Sequence, residues 1–190
     1  FSRLDHQVAI VTGPGREASD TPQSIELKRF DLATGKAGDT FALHTDVKAG
    51  LVAVPPSGGL ILSAVPGPQK GKSPLALIHL WDAQTVENTQ AIEMDVERGS
   101  SAAGVDRLVF SRNGKRAAVL HKTGVQMFET GSLRGTGSYR VSAKGDHPPA
   151  IALSATGSRA VLTNGTRLRL IDGSSIKDVG PASNKDPYEH

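Results

Sequence analysis

The sequence predicts an all-β protein made of about four repeated units, each a sheet of four antiparallel strands. One observation is a short apolar strand ending on an acid, which recurs in steps of 51, 47 and 43 residues at Asp31, Asp82, Glu129 and Asp172. Another is a gapless match of residues 108–119 with residues 151–162, at the same 43-residue offset. In addition, no window of about eleven or more residues keeps a helical period. A repeat of this length is a supersecondary unit that stacks on its neighbours to bury a core.

Each unit begins with a predicted hairpin, followed by a third and a fourth strand. The hairpin turn has Asp5, Gly58, Gly114 or Gly157 at its central position in successive units. Glycine adopts a positive φ at no steric cost, and aspartate is among the few other residues that tolerate it. The third strands end on the recurring acids, which can accept hydrogen bonds from the following turn and are predicted to be structural. Weaker fourth strands are predicted at residues 39–43, 89–94, 138–142 and 176–179.

The predicted units occupy residues 1–43, 44–96, 97–143 and 144–180, and residues 181–190 form a polar tail or linker. Phe1 aligns with Phe110, which lies near the end of a first strand, so the first unit lacks the body of that strand. Two organisations stay open: a complete protein of four units, and part of a larger assembly of such units, which we favour. In an incomplete assembly the terminal sheets would expose apolar faces.

The second unit carries the most specific motif, an apolar strand over residues 75–80 followed by Trp81 and Asp82. The same position is taken in the other units by Phe30, Phe128 and Ile171. Four-stranded units of this period, with Trp-Asp closing a third strand, resemble the blades of WD-repeat β-propellers, and propellers with Ser-x-x-Gly-Lys turns are a near alternative. The resemblance implies blades around a central channel, with typically four to eight needed to close the ring.

Part of that family's pattern is missing from this chain. The Gly-His dipeptide that usually opens such a repeat is absent, and Leu43-His44 and Gly145-Asp146-His147 only approach it. The family's hydrogen-bonded tetrad is therefore not carried over to this chain. Trp81 is predicted to be a core residue between blades, because its counterparts in the other units are all large and apolar.

The composition excludes several classes of function. With no Cys among 190 residues, disulfides, Cys-ligated zinc and thiol catalysis are ruled out. No two of the six His lie within four residues, and neither a nucleophile elbow nor a phosphate loop is present. We therefore predict no catalytic, cofactor-binding or metal-binding residue, and no cofactor. No apolar run approaches the ~20 residues of a membrane span, and the compartment stays open, with a lean towards the cytoplasm.

An asymmetry between the units indicates where a partner would bind. The turn position and the third-strand acid are 15 residues apart in the last two units, but 26 and 24 apart in the first two. The extra length falls at residues 12–24 and 66–74, and on a rigid scaffold function is often placed in such loops. Neutral insertion is the alternative. The candidate partner-binding residues are Arg16, Glu17, Asp20, Gln69, Lys70, Lys72, Asp146 and His147.

Three functions follow, in order of preference. The favoured one is a non-enzymatic scaffold that binds another protein or further blades of the same polypeptide. The alternative is a propeller-class enzyme, lactonase-like hydrolase or quinoprotein dehydrogenase, with its site at the channel mouth near His44, Asp46, Asp146 and His147. The least favoured is a binder of nucleic acid or an anionic surface, based on a net charge of +3 and on Lys70 with Lys72.

Overall fold

The computed structural model describes residues 2–4, 7–13, 21, 23–67, 75–96, 104–140, 150–163, 167–173 and 175–181, and within these ranges it contains strands and turns but no helix. The strands are β1 Ser2–Leu4, β2 Gln7–Thr12, β3 Gln23–Asp31, β4 Ala37–Val47, β5 Leu51–Ala53, β6 Leu60–Pro66, β7 Leu75–Asp82, β8 Asn88–Asp95, β9 Val105–Phe110, β10 Arg116–His121, β11 Gly124–Glu129, β12 Arg134–Arg140, β13 Ala150–Leu153, β14 Arg159–Thr163, β15 Arg167–Asp172 and β16 Ser175–Pro181.

These strands form four antiparallel sheets, and in each sheet the spatial order follows the chain. We call them sheet one (β1–β4), sheet two (β5–β8), sheet three (β9–β12) and sheet four (β13–β16). Consecutive strands paired by short turns are the simplest antiparallel topology, since each strand folds back on the one before it. The all-β prediction and its four-stranded antiparallel units are confirmed. The described ranges contain no helix that is long and apolar enough to cross a membrane.

The hairpin turns between first and second strands have the predicted backbone. Gly58, Gly114 and Gly157 adopt φ values of 70°, 68° and 72°. The Gly114 N–H donates to the carbonyl oxygen of Ser111 at 2.9 Å, and the Ser111 hydroxyl accepts from the Arg116 N–H at 3.0 Å. Each turn thus needs a residue that tolerates positive φ. Asp5, the fourth predicted position, lies outside the described residues.

The fourth strands are present, but two of them begin earlier than predicted. β4 starts at Ala37 and β12 at Arg134, directly after the tight turns that follow the third strands. Both lie at the edge of a sheet and expose most of their side chains, so their sequences carry little apolar alternation. The exact limits of the four repeat units stay a prediction.

Within the described ranges the core consists of three clusters, and each lies between two neighbouring sheets. Sheets one and two share Ile25, Leu27, Leu43, Ile61, Val65, Trp81 and Ala83. Sheets two and three share Leu62, Ala64, Ala76, Ile78, Leu80, Met94, Val96, Val105, Ala117, Val119, Phe128 and Leu133. Sheets three and four share Ala118, Leu120, Val125, Met127, Tyr139, Ile151, Ala160, Leu162 and Ile171. Because the inner sheets are covered on both faces, strands such as β7 and β10 are almost continuously apolar.

Candidate functional site

The long connections of sheets one and two are the main departure from the repeat. The second and third strands are joined by residues 13–22 in sheet one and 67–74 in sheet two, but by 122–123 and 164–166 in sheets three and four. All eight predicted partner-binding residues lie in segments outside the described residues: Arg16, Glu17, Asp20, Gln69, Lys70, Lys72, Asp146 and His147. The strand ends that flank these segments are described, and they fix where each segment leaves the sheets.

Both long connections leave from the same edge of adjacent sheets, where "edge" means the row of strand ends and not an outer strand. Gly50 lies between the two stems: a Cβ built on it would be 2.6 Å from Ile25 Cδ1 and 3.4 Å from Val65 Cγ1. Ile25 is near the start of β3 and Val65 is near the end of β6, so the two stems are neighbours. At the opposite edge, Arg29 Nη2 donates to the carbonyl oxygen of Ala83 at 2.8 Å. The contacts at both edges show that sheets one and two are aligned in the same sense.

The segment that contains Asp146 and His147 is joined to the sheets at the corresponding edge. The last residue of β12, Arg140, pairs with Gly124 at the start of β11. The first residue of β13, Ala150, pairs with Thr163 at the end of β14. In every sheet, the second and third strands are joined at these strand ends. The segments that contain all eight candidate residues therefore leave the sheets at this same end of the strands.

Each long connection begins with a glycine that packs against the strand to which the connection returns. The Gly67 N–H donates to the carbonyl oxygen of Leu75 at 2.8 Å. A Cβ on Gly67 would be 3.1 Å from Leu75 Cβ, and one on Gly13 would be 3.0 Å from Ile25 Cγ1. The glycines therefore allow the outgoing chain to pass close to the returning strand, which fixes the stems.

A polar cluster joins sheets one and two further along the strands from this edge. Ser63 on β6 is fully buried, and its hydroxyl oxygen accepts the Trp81 Nε1–H at 2.9 Å. The same oxygen lies 2.8 Å from His44 Nε2 on β4 of sheet one. Sequence reasoning missed this cluster, although Trp81 and the Leu43-His44 pair were the available signals. It joins two sheets through a single hydroxyl, which anchors β4 to the face of sheet two.

A second histidine completes the cluster. The His44 ring centroid is 4.7 Å from that of His79 and 5.2 Å from that of Trp81, in edge-to-face geometries. Asn88 Nδ2 donates to His79 Nδ1 at 2.8 Å, which places the His79 proton on Nε2. That nitrogen is buried and has no hydrogen-bond partner among the described residues. His79 is half-buried at the junction of the two sheets.

Both histidines are held in the neutral form. Burial lowers the pKa of His44 from its usual 6.5 to about 4, and the neighbouring His79 adds to this shift. Burial also lowers the pKa of His79. In the described part of the chain, no group of three or more His, Cys, Asp or Glu side chains is placed to hold a metal ion. The cluster is therefore suited to joining the two sheets rather than to accepting protons near neutral pH.

We expect the stability of the protein to fall as the pH drops from about 6.5 towards 4. The unfolded chain takes up a proton at His44 near its ordinary pKa, whereas the folded protein resists protonation until about pH 4. The stabilisation from a depressed His pKa is thus present above the unfolded pKa and is lost below it. Melting temperature measured from pH 4 to 7.5 should show this slope, and H44Q should reduce it because glutamine does not titrate. An equally steep slope in H44Q and in the H44Q/H79Q double variant would contradict the assignment.

The recurring acids are structural, in two different ways. Asp31 Oδ1 accepts the backbone N–H groups two and three residues further on, at 2.9 and 2.7 Å. Asp82 Oδ1 accepts the equivalent pair at 2.7 and 2.8 Å, and the bond from the Thr85 N–H is the main cause of its lowered pKa. These two confirm the predicted turn contacts. Glu129 and Asp172 instead form exposed ion pairs, which contribute little to stability, with Arg134 at 3.3 Å and Arg159 at 3.1 Å.

A shallow groove of about 470 Å³ lies between sheets two and three, at the edge opposite the long connections. Its walls are residues of turns and strand ends, among them Ser57, Leu60, Asn113, Lys115 and Ser132. The acid in its lining, Glu129, is already paired with an arginine.

Comparison with known proteins supports the fold but gives no family. No protein-family model matches the chain, and no curated protein matches it. Among solved structures, the β-propeller domain of the Trilobed protease from Pyrococcus furiosus is 11% identical with a TM-score of 0.57, over 94% of this chain and 55% of that chain. Kuenenia stuttgartiensis hydrazine synthase is 12% identical with a TM-score of 0.52, over 88% of this chain and 50% of that chain.

A third similar structure is the complex of KlAtg21 with the coiled coil of AgAtg16, at 13% identity and a TM-score of 0.53, covering 85% of this chain and 50% of that chain. The present chain therefore spans about half the length of the structures it matches. At such low identity the likeness concerns the fold alone. The four-stranded antiparallel sheets and these likenesses together show a β-propeller-like fold. The more specific WD-repeat interpretation stays a prediction.

Proposed function

We propose that this chain is a non-enzymatic β-propeller scaffold that binds another protein, within a larger chain or assembly. The observation that carries the proposal is the pair of long connections, residues 13–22 and 67–74, at the same edge of two adjacent sheets. Their stems are neighbours through Ile25 and Val65, so a partner that contacts one connection can contact the other. Loops on a rigid scaffold are a frequent place for recognition.

The recurring acids of the described region support a binding role, because they are engaged in structural contacts. Asp31 and Asp82 hold the turns that follow them, and Glu129 and Asp172 pair with arginines. The Ser63–His44 pair has the separation of a nucleophile and its base. Ser63 is fully buried, however, and its oxygen accepts the Trp81 N–H, so a substrate has no access to it.

The enzyme alternative draws on the channel-mouth residues. Of its four candidates, His44 is engaged with Ser63 and Asp46 is an exposed residue with a positive φ of 57°. Asp146 and His147 lie outside the described residues. The described geometry therefore favours binding over catalysis. The complex of KlAtg21 with the coiled coil of AgAtg16 is an instance of protein binding on a similar fold.

The proposed contact residues are the charged and polar side chains of the connections. They are Arg16, Glu17, Asp20, Gln69, Lys70 and Lys72, with Asp146 and His147 in the link between sheets three and four. Side chains of both signs favour a protein surface of mixed charge over a uniformly anionic polymer such as nucleic acid.

Shortening both long connections should leave the fold intact and weaken partner binding. Residues 14–22 and 68–74 would each be replaced by a two-residue turn. Gly13 and Gly67 would be kept, so that the strand ends on either side of each turn keep their close packing. Because loop-closure cost varies slowly with length, we expect the free energy of unfolding to change by only about 1 kcal/mol. Circular dichroism and thermal melting measure the fold, and quantitative cross-linking pull-down measures the recovery of bound proteins.

A matched control changes charge at the opposite edge of the sheets. Arg112→Ser with Lys115→Ser removes two exposed charges near the first-to-second-strand turn of sheet three, and we expect it to leave recovery unchanged. Equal recovery of the same partners by the wild type and the shortened protein would refute the proposal. Unfolding of the shortened protein would show instead that the connections brace sheets one and two.

A further inference from the structure

One face of sheet four presents apolar side chains that no other described sheet covers. Val161 and Leu168 lie on this face and are 38% and 36% exposed. Of the other exposed large apolar residues in the described ranges, Ile176 pairs with Ile171 and so lies on the covered face, Val179 is at a bulge of the edge strand β16, and Leu32 is in a turn of sheet one. Ala152 pairs with Val161 and Val161 pairs with Leu170, so these three side chains form one row across the sheet.

The repeat shows what such a face normally does in this molecule. At the 43-residue offset, Val161, Leu168 and Leu170 correspond to Ala118, Val125 and Met127 of sheet three. Those three counterparts are 0%, 0% and 4% exposed, because sheet four packs on them. The open face of sheet four is thus the repeat equivalent of a face that a neighbouring four-stranded sheet covers elsewhere in the chain.

The residue that covers such a face is also set by the repeat. Ile171, Phe128 and Trp81 each precede the third-strand acid, and each packs towards the sheet before it in the chain. Their counterpart in sheet one is Phe30, which is half-buried and belongs to none of the three core clusters. Sheet one therefore presents the covering face, and sheet four presents the face to be covered.

We propose that these two faces meet between two copies of this chain, with sheet one of each copy on sheet four of the other. The contact places Phe30 of one copy against Val161, Leu168 and Leu170 of its partner, repeating the three interfaces inside the chain. Two such junctions give a closed ring of eight sheets, within the range at which propellers close. Since both junctions are the same head-to-tail contact, closure removes both open faces at once. The inference is separate from the proposed loop function, because it concerns the faces of the terminal sheets.

The test is the mass of the 190-residue chain in solution, measured by sedimentation and light scattering over a range of concentrations. We expect a species of twice the 19.9 kDa chain mass. V161T/L168R changes the open face of sheet four, and we expect it to raise the concentration at which the chain associates on the order of a hundredfold. Ile176→Ser removes a comparably exposed apolar residue on the opposite face of sheet four, and should leave association unchanged.

A mixing experiment separates a broken interface from a damaged fold. F30S changes only the covering face, so a mixture of F30S with V161T/L168R still contains one intact junction. We expect each variant alone to be monomeric and the mixture to form a one-to-one pair. A wild-type chain that is monomeric at all concentrations, an open series of larger species, or association that survives V161T/L168R would overturn the proposal. Binding of a partner by the long connections can be measured on the monomeric variant, so failure of one inference leaves the other testable.

Discussion

Replacing Trp81 with alanine is expected to lower the free energy of unfolding by about 3–5 kcal/mol, the range typical of large cavities in a packed core. Trp81 is 8% exposed and lies in the cluster that joins sheets one and two. Its removal also takes away the N–H donor to Ser63, the residue that anchors His44. The substitution should therefore weaken mainly the interface between these two sheets. Urea unfolding followed by circular dichroism measures it.

Two comparisons identify the cause of that loss. Trp81→Phe keeps much of the bulk but not the N–H donor, so we expect it to cost only about 1–2 kcal/mol. Phe128, at the equivalent position of sheet three, is 1% exposed, and Phe128→Ala should cost as much as Trp81→Ala. Phe30→Ala should cost less, because Phe30 is only half-buried. A Trp81→Ala variant that melts within a degree or two of the wild type would contradict the placement of Trp81 in the core.

Gly157→Ala is expected to lower stability by about 2–4 kcal/mol, through two separate effects. Gly157 has a φ of 72°, a conformation that costs about 1–2 kcal/mol for a residue with a Cβ. In addition, an added Cβ would lie 2.5 Å from Arg116 Cβ of sheet three. Arg116 Cβ is attached to the backbone, so rotation of a side chain cannot relieve this overlap, and sheets three and four must separate slightly.

Two other glycines serve as controls for these effects. Gly35 has a φ of 67° but no atom within 4 Å of an added Cβ, so Gly35→Ala should show the backbone cost alone. Gly131→Ala should show neither effect, since the φ of Gly131 is not positive and no atom lies within 4 Å of an added Cβ. Equal melting temperatures for Gly157→Ala and Gly35→Ala would show that the contact with Arg116 contributes nothing.

The elements that could be predicted from the sequence are those whose signals are local. Alternating apolar residues, a glycine at each hairpin turn and an acid at the end of each third strand all lie within a few residues of one another. The 43-residue match then showed that the same unit recurs. The edge strands β4 and β12 were placed less well because exposed strands need no apolar alternation.

The polar cluster could not be predicted because it depends on how one sheet packs on the next. His44 and Ser63 are 19 residues apart in the chain, and they meet only because β4 of sheet one lies against the face of sheet two. From the sequence, His44 was predicted to lie near the channel mouth. Nothing local indicates that its ring comes within 4.7 Å of the His79 ring. The eight partner-binding candidates stay a prediction, since only the strand ends beside them are described.

The division of the core into three clusters has a consequence for the cooperativity of unfolding. Each cluster joins only two neighbouring sheets, so within the described residues the stability is a sum of nearest-neighbour interfaces, as in a one-dimensional array. Sheets two and three take part in two interfaces each, whereas sheets one and four take part in one. In the monomeric V161T/L168R variant, amide hydrogens should therefore exchange slowest in β6, β7, β10 and β11, and faster towards sheets one and four. A chain built in this way can lose a terminal sheet and keep the remainder folded.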